Sequence, residues 1–425
     1  LDSNQGHDTA VPVLWRVVLA GFGDWYGDAV GADPKATGGA VMTSNTPLIV
    51  LATGGTGGHV FPAQALAEEL KKRGNRLALI TDRRGDAYSG PLGELDAHTI
   101  SAAGVSGKGL IARGMAAFQL LIGYFQARSL LLQMKPSVVV GFGGYPSVPT
   151  MMAASHLGIR TAIHEQNAVL GRANRLMASR VDRIALSFDE TDGLRPKDQD
   201  KALRTGNPVR PEIAALSGRP FTPPGPEDRL NLLVVGGSQG AQILGEAVPA
   251  ALTGLSQELR NRLSVDQQTR AEQLDAVKVA YQSAGIRADV RSFFDDMPER
   301  LARAHLIIGR AGASTMAEVA TVGLPAILIP YAYAIDDHQA ANAARLSDAG
   351  GGWAIPQMDV TPADLGRRLE QLLANPSVLS AAAQASARTG IPDATVRLAN
   401  LVESLATGEG SVGAVRAGNA RKEAA

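Results

Sequence analysis

The chain has 425 residues, 45% of them hydrophobic and only 4% aromatic, enough apolar material for two globular cores. Lys plus Arg and Asp plus Glu both number 41, so no net field draws it to nucleic acid, and attraction to an anionic surface has to come from a local patch. The lack of cysteine excludes disulfides, thiolate metal sites and cysteine nucleophiles together.

Residues 1–46 differ in character from the rest of the chain. VPVLWRVVLAGFGDWYG is apolar, but Asp2 and Asp8 precede it and Arg16 interrupts it, which makes it a poor secretory signal and too short a bilayer span. Met42 stands just before the first strand, so residues 1–41 are expected to lie upstream of the true start, and 1–46 to be a non-native or disordered extension.

At Leu48 the run LIVLATGGTGGHVFPAQALAEEL predicts a buried parallel strand, a glycine turn and a helix. Glycine allows positive φ and close approach of backbone N–H groups to an anion, and the helix start adds partial positive charge. His59 falls where that helix begins, placing an imidazole, which titrates near neutrality, beside the expected anion site. RLALITD predicts the next strand.

GVSGKGLIARGMAAFQLLIGYFQARSLLLQMK is densely apolar and rimmed by Lys108, Arg113, Arg128 and Lys135. About 14 residues separate the two arginines, short of the roughly 20 needed to cross a bilayer. Two readings stay open: a core helix, or a helix on an anionic membrane surface with Leu110, Ile111, Met115 and Phe118 dipping in.

Strand-to-helix units continue with PSVVVGFGG into YPSVPTMMAASHLG and RTAIHEQN into GRANRLMASR, which predicts a parallel sheet with helices on both faces. The strand ends bring Gly143, Gly144, Tyr145 and Asn167 to the cleft that holds His59. The one Asp-x-Asp string, Asp198-Gln199-Asp200, has no strand leading into it. Helix N-termini and backbone, not a metal, are therefore expected to neutralise a diphosphate.

RTGNPVRPEI and the proline-rich GRPFTPPGPEDR mark a boundary near residues 210–228. The pattern restarts at Leu230 with LNLLVVGGSQGAQIL, a second glycine turn about 180 residues after the first. Two such turns imply two nucleotide-type half-folds facing each other. In HLIIGRAGASTMAEVA, Ser314 or Thr315 is expected to cap the helix start, and Glu318 to offer a carboxylate to a ribose diol. In IPYAYAIDDHQAANA, His338, Gln339 and Asn342 come after a strand's carboxyl end and suit a hydroxyl-rich ligand. A closing helix around VRLANLVESLA precedes a small-residue tail.

GGTGGHVFPA, GFGGYPS, HEQN, TGNPVR, VVGGSQGA, FFDDM, RAGASTMAE, PAILIPY, HQAANA and IPDAT together resemble, in order and spacing over about residues 47–405, the bacterial UDP-N-acetylglucosamine:lipid-linked muramyl-pentapeptide N-acetylglucosaminyltransferases, the MurG family. The resemblance implies an α/β chain of GT-B fold, two Rossmann-like parallel-sheet domains facing across a cleft. Residues 47–212 would form the acceptor and membrane-associating domain, 213–405 the UDP-sugar domain with its closing helix, and 406–425 a flexible tail. The implied activity is inverting hexosyl transfer from UDP-GlcNAc to the muramyl 4-hydroxyl of undecaprenyl-linked lipid I, giving lipid II for peptidoglycan. It would run without a cofactor, peripherally on the cytoplasmic face of the inner membrane. Implied partners are UDP-GlcNAc, lipid I, the anionic membrane surface and cell-wall synthesis and division proteins, not nucleic acid.

For that reaction the imidazole of His59 is the expected base, with Glu165 as the next carboxylate to consider; the other reading of His59 is an anchor that hydrogen-bonds the acceptor diphosphate without moving a proton. The same resemblance implies donor contacts from Thr56, Gly57, Gly58, Asn167, Arg210, Ser238, Gln239, Phe294, Ser314, Thr315, Glu318, His338 and Gln339. Acceptor contacts would come from Gly55, Gly57, Gly58, Gly143, Gly144, Tyr145, Glu165 and Asn167. One departure is Gln267-Gln268-Thr269-Arg270, where many relatives show His-Gln-Thr/Ser-Gly.

Three rivals are weaker. An NAD-dependent oxidoreductase would use Asp82 for a ribose, but Val60 replaces the third fingerprint glycine. A UDP-sugar epimerase on the same double fold has no use for an apolar, basic-rimmed patch. A non-catalytic membrane scaffold needs neither His59 nor Glu318.

Overall fold

The computed structural model describes residues 46–55, 57–82, 92–102, 109–237 and 240–408, with backbone only at 110–113. Thr56, Ser238, Gln239, the side chains of Leu110 and Ile111, the extension before residue 46 and the tail after 408 lie outside the described residues.

The first sheet contains β1 (Leu48–Ala52), β2 (Arg76–Thr81), β3 (Asp96–Thr99), β4 (Val138–Gly141), β5 (Arg160–Glu165), β6 (Arg183–Leu186) and β7 (Ala202–Arg204), in the order β3-β2-β1-β4-β5-β6-β7. Its helices nearest the site are α1 (Gly57–Lys72), α2 (Leu110–Met134), α3 (Ser147–His156) and α4 (Arg172–Met177). The second sheet contains β8 (Leu230–Val235), β9 (Leu263–Gln268), β10 (Arg287–Arg291), β11 (Leu306–Gly309), β12 (Ala326–Leu328) and β13 (Gly352–Ala354), ordered β10-β9-β8-β11-β12-β13. With it come α5 (Gln242–Thr253), α6 (Ala313–Val322) and α7 (His338–Asp348), and the last described helix is α8 (Ala394–Thr407). Neighbouring strands run parallel in both sheets.

Continuous apolar strands result from burial on two faces. Ile49 and Leu51 enter one core with Leu66 and Leu70 of α1, while Val50 and Ala52 enter another with Leu131 of α2 and Met151 of α3. Leu232 and Val234, against Leu233 and Val235, divide the second sheet in the same way. In each sheet the order reverses beside the first strand, between β1 and β4 and between β8 and β11. Open α/β sheets bind ligands at this switch point, beyond the strands' carboxyl ends. All four glycine-bearing turns singled out in the sequence, after β1, β4, β8 and β11, sit there.

The closing helix differs from expectation. α8 packs on the first sheet and not the second: Leu398, Ala399 and Val402 share a core with Ile49 and Leu66. Arg73, just past α1, donates to Glu403 and Asn400, both at 2.7 Å, and Asn75 donates to Glu403 at 2.7 Å. The leucine and valine pattern showed an apolar face but not which sheet it covers.

Candidate active site

The turns after β1 and β4 interlock. Gly55, Gly143 and Gly144 have φ of 94°, 86° and 74°, which side chains with a Cβ rarely adopt. A Cβ on Gly54 would lie 2.7 Å from Pro146 Cγ, and one on Gly144 would lie 2.9 Å from the Gly54 carbonyl oxygen. The glycines therefore let two backbones meet. They also make room for His59: a Cβ on Gly143 would stand 3.3 Å from its Cε1 and Nδ1. His59 lies in the first turn of α1, where Thr53 Oγ1 donates to its carbonyl at 3.2 Å. Its Nδ1 is 3.0 Å from Gln166 Oε1.

Gln166 was not among the sequence candidates. It is buried, and its Nε2 lies 3.0 Å from each of Phe142 O, His164 O and His164 Nδ1. His164 Nε2 in turn meets Gly206 O at 3.0 Å. Full burial pushes the His164 pKa down to about 4, outweighing the Gly206 carbonyl, and the neighbouring His59 acts in the same direction.

Glu165 is a correction. Its carboxylate is turned inward and accepts four hydrogen bonds, from Asn167 N at 3.0 Å, Asn167 Nδ2 at 3.2 Å, Gly171 N at 2.8 Å and Asn174 Nδ2 at 2.9 Å. A carboxylate so saturated shapes the loop after β5 and has no lone pair left for an acceptor proton. Asn167 is likewise engaged, accepting from Asn342 Nδ2 at 3.1 Å. Tyr145 hydrogen-bonds Arg172, whose Nη2 donates to Asp336 of the second half at 2.9 Å.

At the second switch point, α6 begins after an N-cap Gly312 with no side-chain cap. Neither Ser314 nor Thr315 caps it, contrary to expectation, so the first N–H groups stay open to an anion. Ser314 Oγ is buried without a hydrogen-bond partner among the described residues. Glu318 faces Arg210, whose Nη2 donates at 3.3 Å; burial raises the carboxyl pKa, and Arg210 opposes that.

Two cations here escaped the sequence reading. Arg310, just past β11, donates to Ile329 O at 2.9 Å and Pro330 O at 3.2 Å; burial lowers its pKa, as does the charge of Arg270. Arg270 lies along the second glycine turn, its Cγ 2.8 Å from where a Gly240 Cβ would be. The departure from the family pattern thus adds positive charge. Gln267, at its start, is buried, accepting from Tyr281 Oη and donating to Leu244 O.

Phe294 is a second correction. Its ring is 2% exposed and covered by the Arg300 guanidinium at 3.8 Å, so the side chain belongs to the core and offers a ligand no face. Arg300 is itself fixed by Asp266, Asp289 and Asp296 at 2.6–2.8 Å. Of the helix-start trio, His338 Nδ1 bonds Ile335 O at 2.8 Å and Gln339 Oε1 accepts from Tyr331 N at 2.9 Å. Asn342 is fully buried and engaged within the protein, so it is not a ligand group. Asp198 is locked in its own turn by Arg195 at 2.8 Å.

α2 has two unlike sides. Ala127 and Leu131 are buried in the first core, whereas Met115, Phe118, Leu121 and Phe125 are 62%, 60%, 52% and 59% exposed. Gly114–Met134 is long and apolar enough to cross a bilayer by length and composition; its packed side makes it part of the domain.

Doubly wound sheets with phosphate-type turns at both switch points are the architecture of a two-domain glycosyltransferase. Residues 49–186 match the glycosyltransferase family 28 N-terminal domain and residues 231–398 its C-terminal domain. The chain is 52% identical, over 87% of its length and 99% of the relative's, to the UDP-N-acetylglucosamine–N-acetylmuramyl-(pentapeptide) pyrophosphoryl-undecaprenol N-acetylglucosamine transferase of Paramagnetospirillum magneticum. It is also 52% identical to that of Rhodospirillum centenum, over 83% of this chain and 93% of the relative. The crystal structure of Acinetobacter baumannii MurG has a TM-score of 0.69 at 30% identity, covering 84% of this chain and 99% of that one. The chain belongs to this family of N-acetylglucosamine transferases. A UDP-GlcNAc 2-epimerase from Neisseria meningitidis, 13% identical with a TM-score of 0.59 over 84% of this chain and 99% of that one, shares the fold alone.

Proposed function

We propose that this enzyme transfers N-acetylglucosamine from UDP-GlcNAc to the 4-hydroxyl of undecaprenyl-diphospho-N-acetylmuramyl-pentapeptide, with inversion to a β-1,4 link. The observation that carries the site reading is the pairing of two switch points: an imidazole over glycines at one, an uncapped helix N-terminus with two arginines at the other.

In this reading His59 takes the proton from the attacking hydroxyl as the oxygen closes on the anomeric carbon. The bond to the UDP oxygen breaks as the new one forms, and negative charge builds on the diphosphate. The open N–H groups of α6, with Arg310 and Arg270, lie where that charge is neutralised. Glu318 holds the ribose diol, for which Arg210 substitutes in the ligand-free protein. The glycine backbone of Gly55, Gly57, Gly58, Gly143 and Gly144 receives the lipid diphosphate. The bare face of α2 rests on the anionic inner-membrane surface, so the enzyme works as a peripheral protein on the cytoplasmic side.

The full chain, given UDP-GlcNAc with and without a lipid-diphosphate-muramyl acceptor, should release UDP only when the acceptor is present. UDP release without acceptor overturns the reading in favour of hydrolase chemistry, and conversion of UDP-GlcNAc to an epimeric UDP-sugar without UDP release overturns it in favour of an epimerase.

A further inference from the structure

We infer that Gln166 is a positioning residue that dictates which nitrogen of His59 carries the proton, leaving Nε2 as the acceptor. The inference deepens the reading of His59 as the base and rests on it.

The amide of Gln166 has one allowed orientation. Its nitrogen lies 3.0 Å from both Phe142 O and His164 O, and carbonyl oxygens only accept. Turning the amide over would press Oε1 against both. The third neighbour of that nitrogen, His164 Nδ1, is an acceptor as well: Nε2 of the same ring faces the Gly206 carbonyl and has to donate, and burial keeps the ring neutral. Among the described residues, three acceptors and no donor surround Nε2 of Gln166.

With the nitrogen assigned, Oε1 is the atom 3.0 Å from His59 Nδ1. An amide oxygen only accepts, so Nδ1 bears the hydrogen and the lone pair of neutral His59 sits on Nε2. Free imidazole side chains in water favour the opposite form, with hydrogen on Nε2. The chain Gly206–His164–Gln166–His59 reverses that preference through fixed donors and acceptors. Because Oε1 accepts from Nδ1 in both the neutral and the protonated ring, His59 can take up a proton on Nε2 and release it without rotating. An amide achieves this without a negative charge, which a carboxylate orienter would bring. Gly206 lies in the TGNPVR segment, so the network starts where the chain leaves the first sheet.

The test is long-range 15N–1H NMR of the full chain labelled in histidine, with the His59 signals assigned by their loss in His59→Asn. The wild-type protein at pH 8.5 should show hydrogen on Nδ1 and a bare Nε2; hydrogen on Nε2 overturns the inference with no variant needed. Gln166→Met keeps the side-chain length and removes the acceptor. It should move His59 toward the Nε2–H form and lower kcat roughly tenfold while both KM values stay within about twofold. An unmoved tautomer in that variant also overturns the inference. A wild-type Nδ1–H tautomer combined with a kcat indifferent to His59→Asn supports the assignment and instead removes His59 as the base.

Discussion

Asn342 Oδ1 accepts the backbone N–H of Ala168 at 2.8 Å, so a side chain from the second half completes the loop after β5 in the first. Its Nδ2 donates to Asn167 Oδ1 at 3.1 Å and Ala311 O at 3.0 Å, which consumes the carboxamide on both ends. Asn342→Ala should cost about 2 kcal/mol or more in urea unfolding, because buried partners are left unpaired. Asn342→Asp should fare worse than Ala, since its second oxygen faces two acceptors; a stability equal to wild type would contradict the bonding described.

His59→Ala should lower kcat about 10²–10⁴-fold and abolish the acidic limb of the pH–kcat profile. His59→Asn still donates a hydrogen bond but takes no proton near neutrality. A loss confined to acceptor KM, with the acidic limb intact, would make the ring an anchor for the acceptor diphosphate. Glu165 is no substitute base, given its four internal donors.

Glu318 combines function with a stability cost. Its folded pKa is raised, chiefly by burial, so above the ordinary carboxyl range the native state holds the proton longer than the unfolded chain, and stability falls as pH rises toward the folded value. Glu318→Gln should therefore raise Tm of the ligand-free protein at pH 7. The same variant should raise donor KM by losing a charge-assisted contact worth roughly 2 kcal/mol. An unchanged donor KM would take Glu318 out of the site.

His164 predicts an acid-labile fold. Its pKa is depressed to about 4 by burial, so its contribution is complete above the unfolded value near 6.5 and is lost as pH falls through 4, amounting to roughly 3 kcal/mol. Unfolding free energies at pH 7.5 and 4.5 should differ less in His164→Asn than in wild type. Equal pH dependence would mean that another group governs it.

Met115, Phe118 and Phe125 are exposed on α2. Replacing all three with serine should weaken binding to vesicles containing anionic lipid, at about 1.5–3 kcal/mol per inserted side chain, without lowering Tm. A lowered Tm with unchanged vesicle binding would make them packing residues.

The glycine turns and the strands leading into them were legible because strands buried on both faces are continuous apolar runs, as in Ile49–Ala52 and Leu230–Val235. β3, Asp-Ala-His-Thr, was not: it is a polar edge strand with little to bury. His59 and Glu318 stood out as titratable groups at turns. Gln166 did not, since an amide carries no charge signal and its role depends on Phe142 and His164 being placed around it. Phe294 looked like a ligand contact in a conspicuous FFDD string, but Asp296 of that string serves Arg300, whose guanidinium caps the ring. In the sequence Arg270 was only a departure from a pattern, and the fold gave it a place beside Gly240 and a charge felt by Arg310.

The return of α8 to the first sheet bears on how the protein emerges from the ribosome. Glu403 bonds Arg73 and Asn75 across 330 and 328 positions of chain, and Leu398 and Val402 seal the face that Ile49 and Leu66 present. The first half, although translated first, stays open along that face until the second half has followed it out of the exit tunnel. A fragment cut at the linker would keep its glycine turns and leave a stripe of β1 and α1 wet, so the two halves of this enzyme are separable in architecture but not in synthesis.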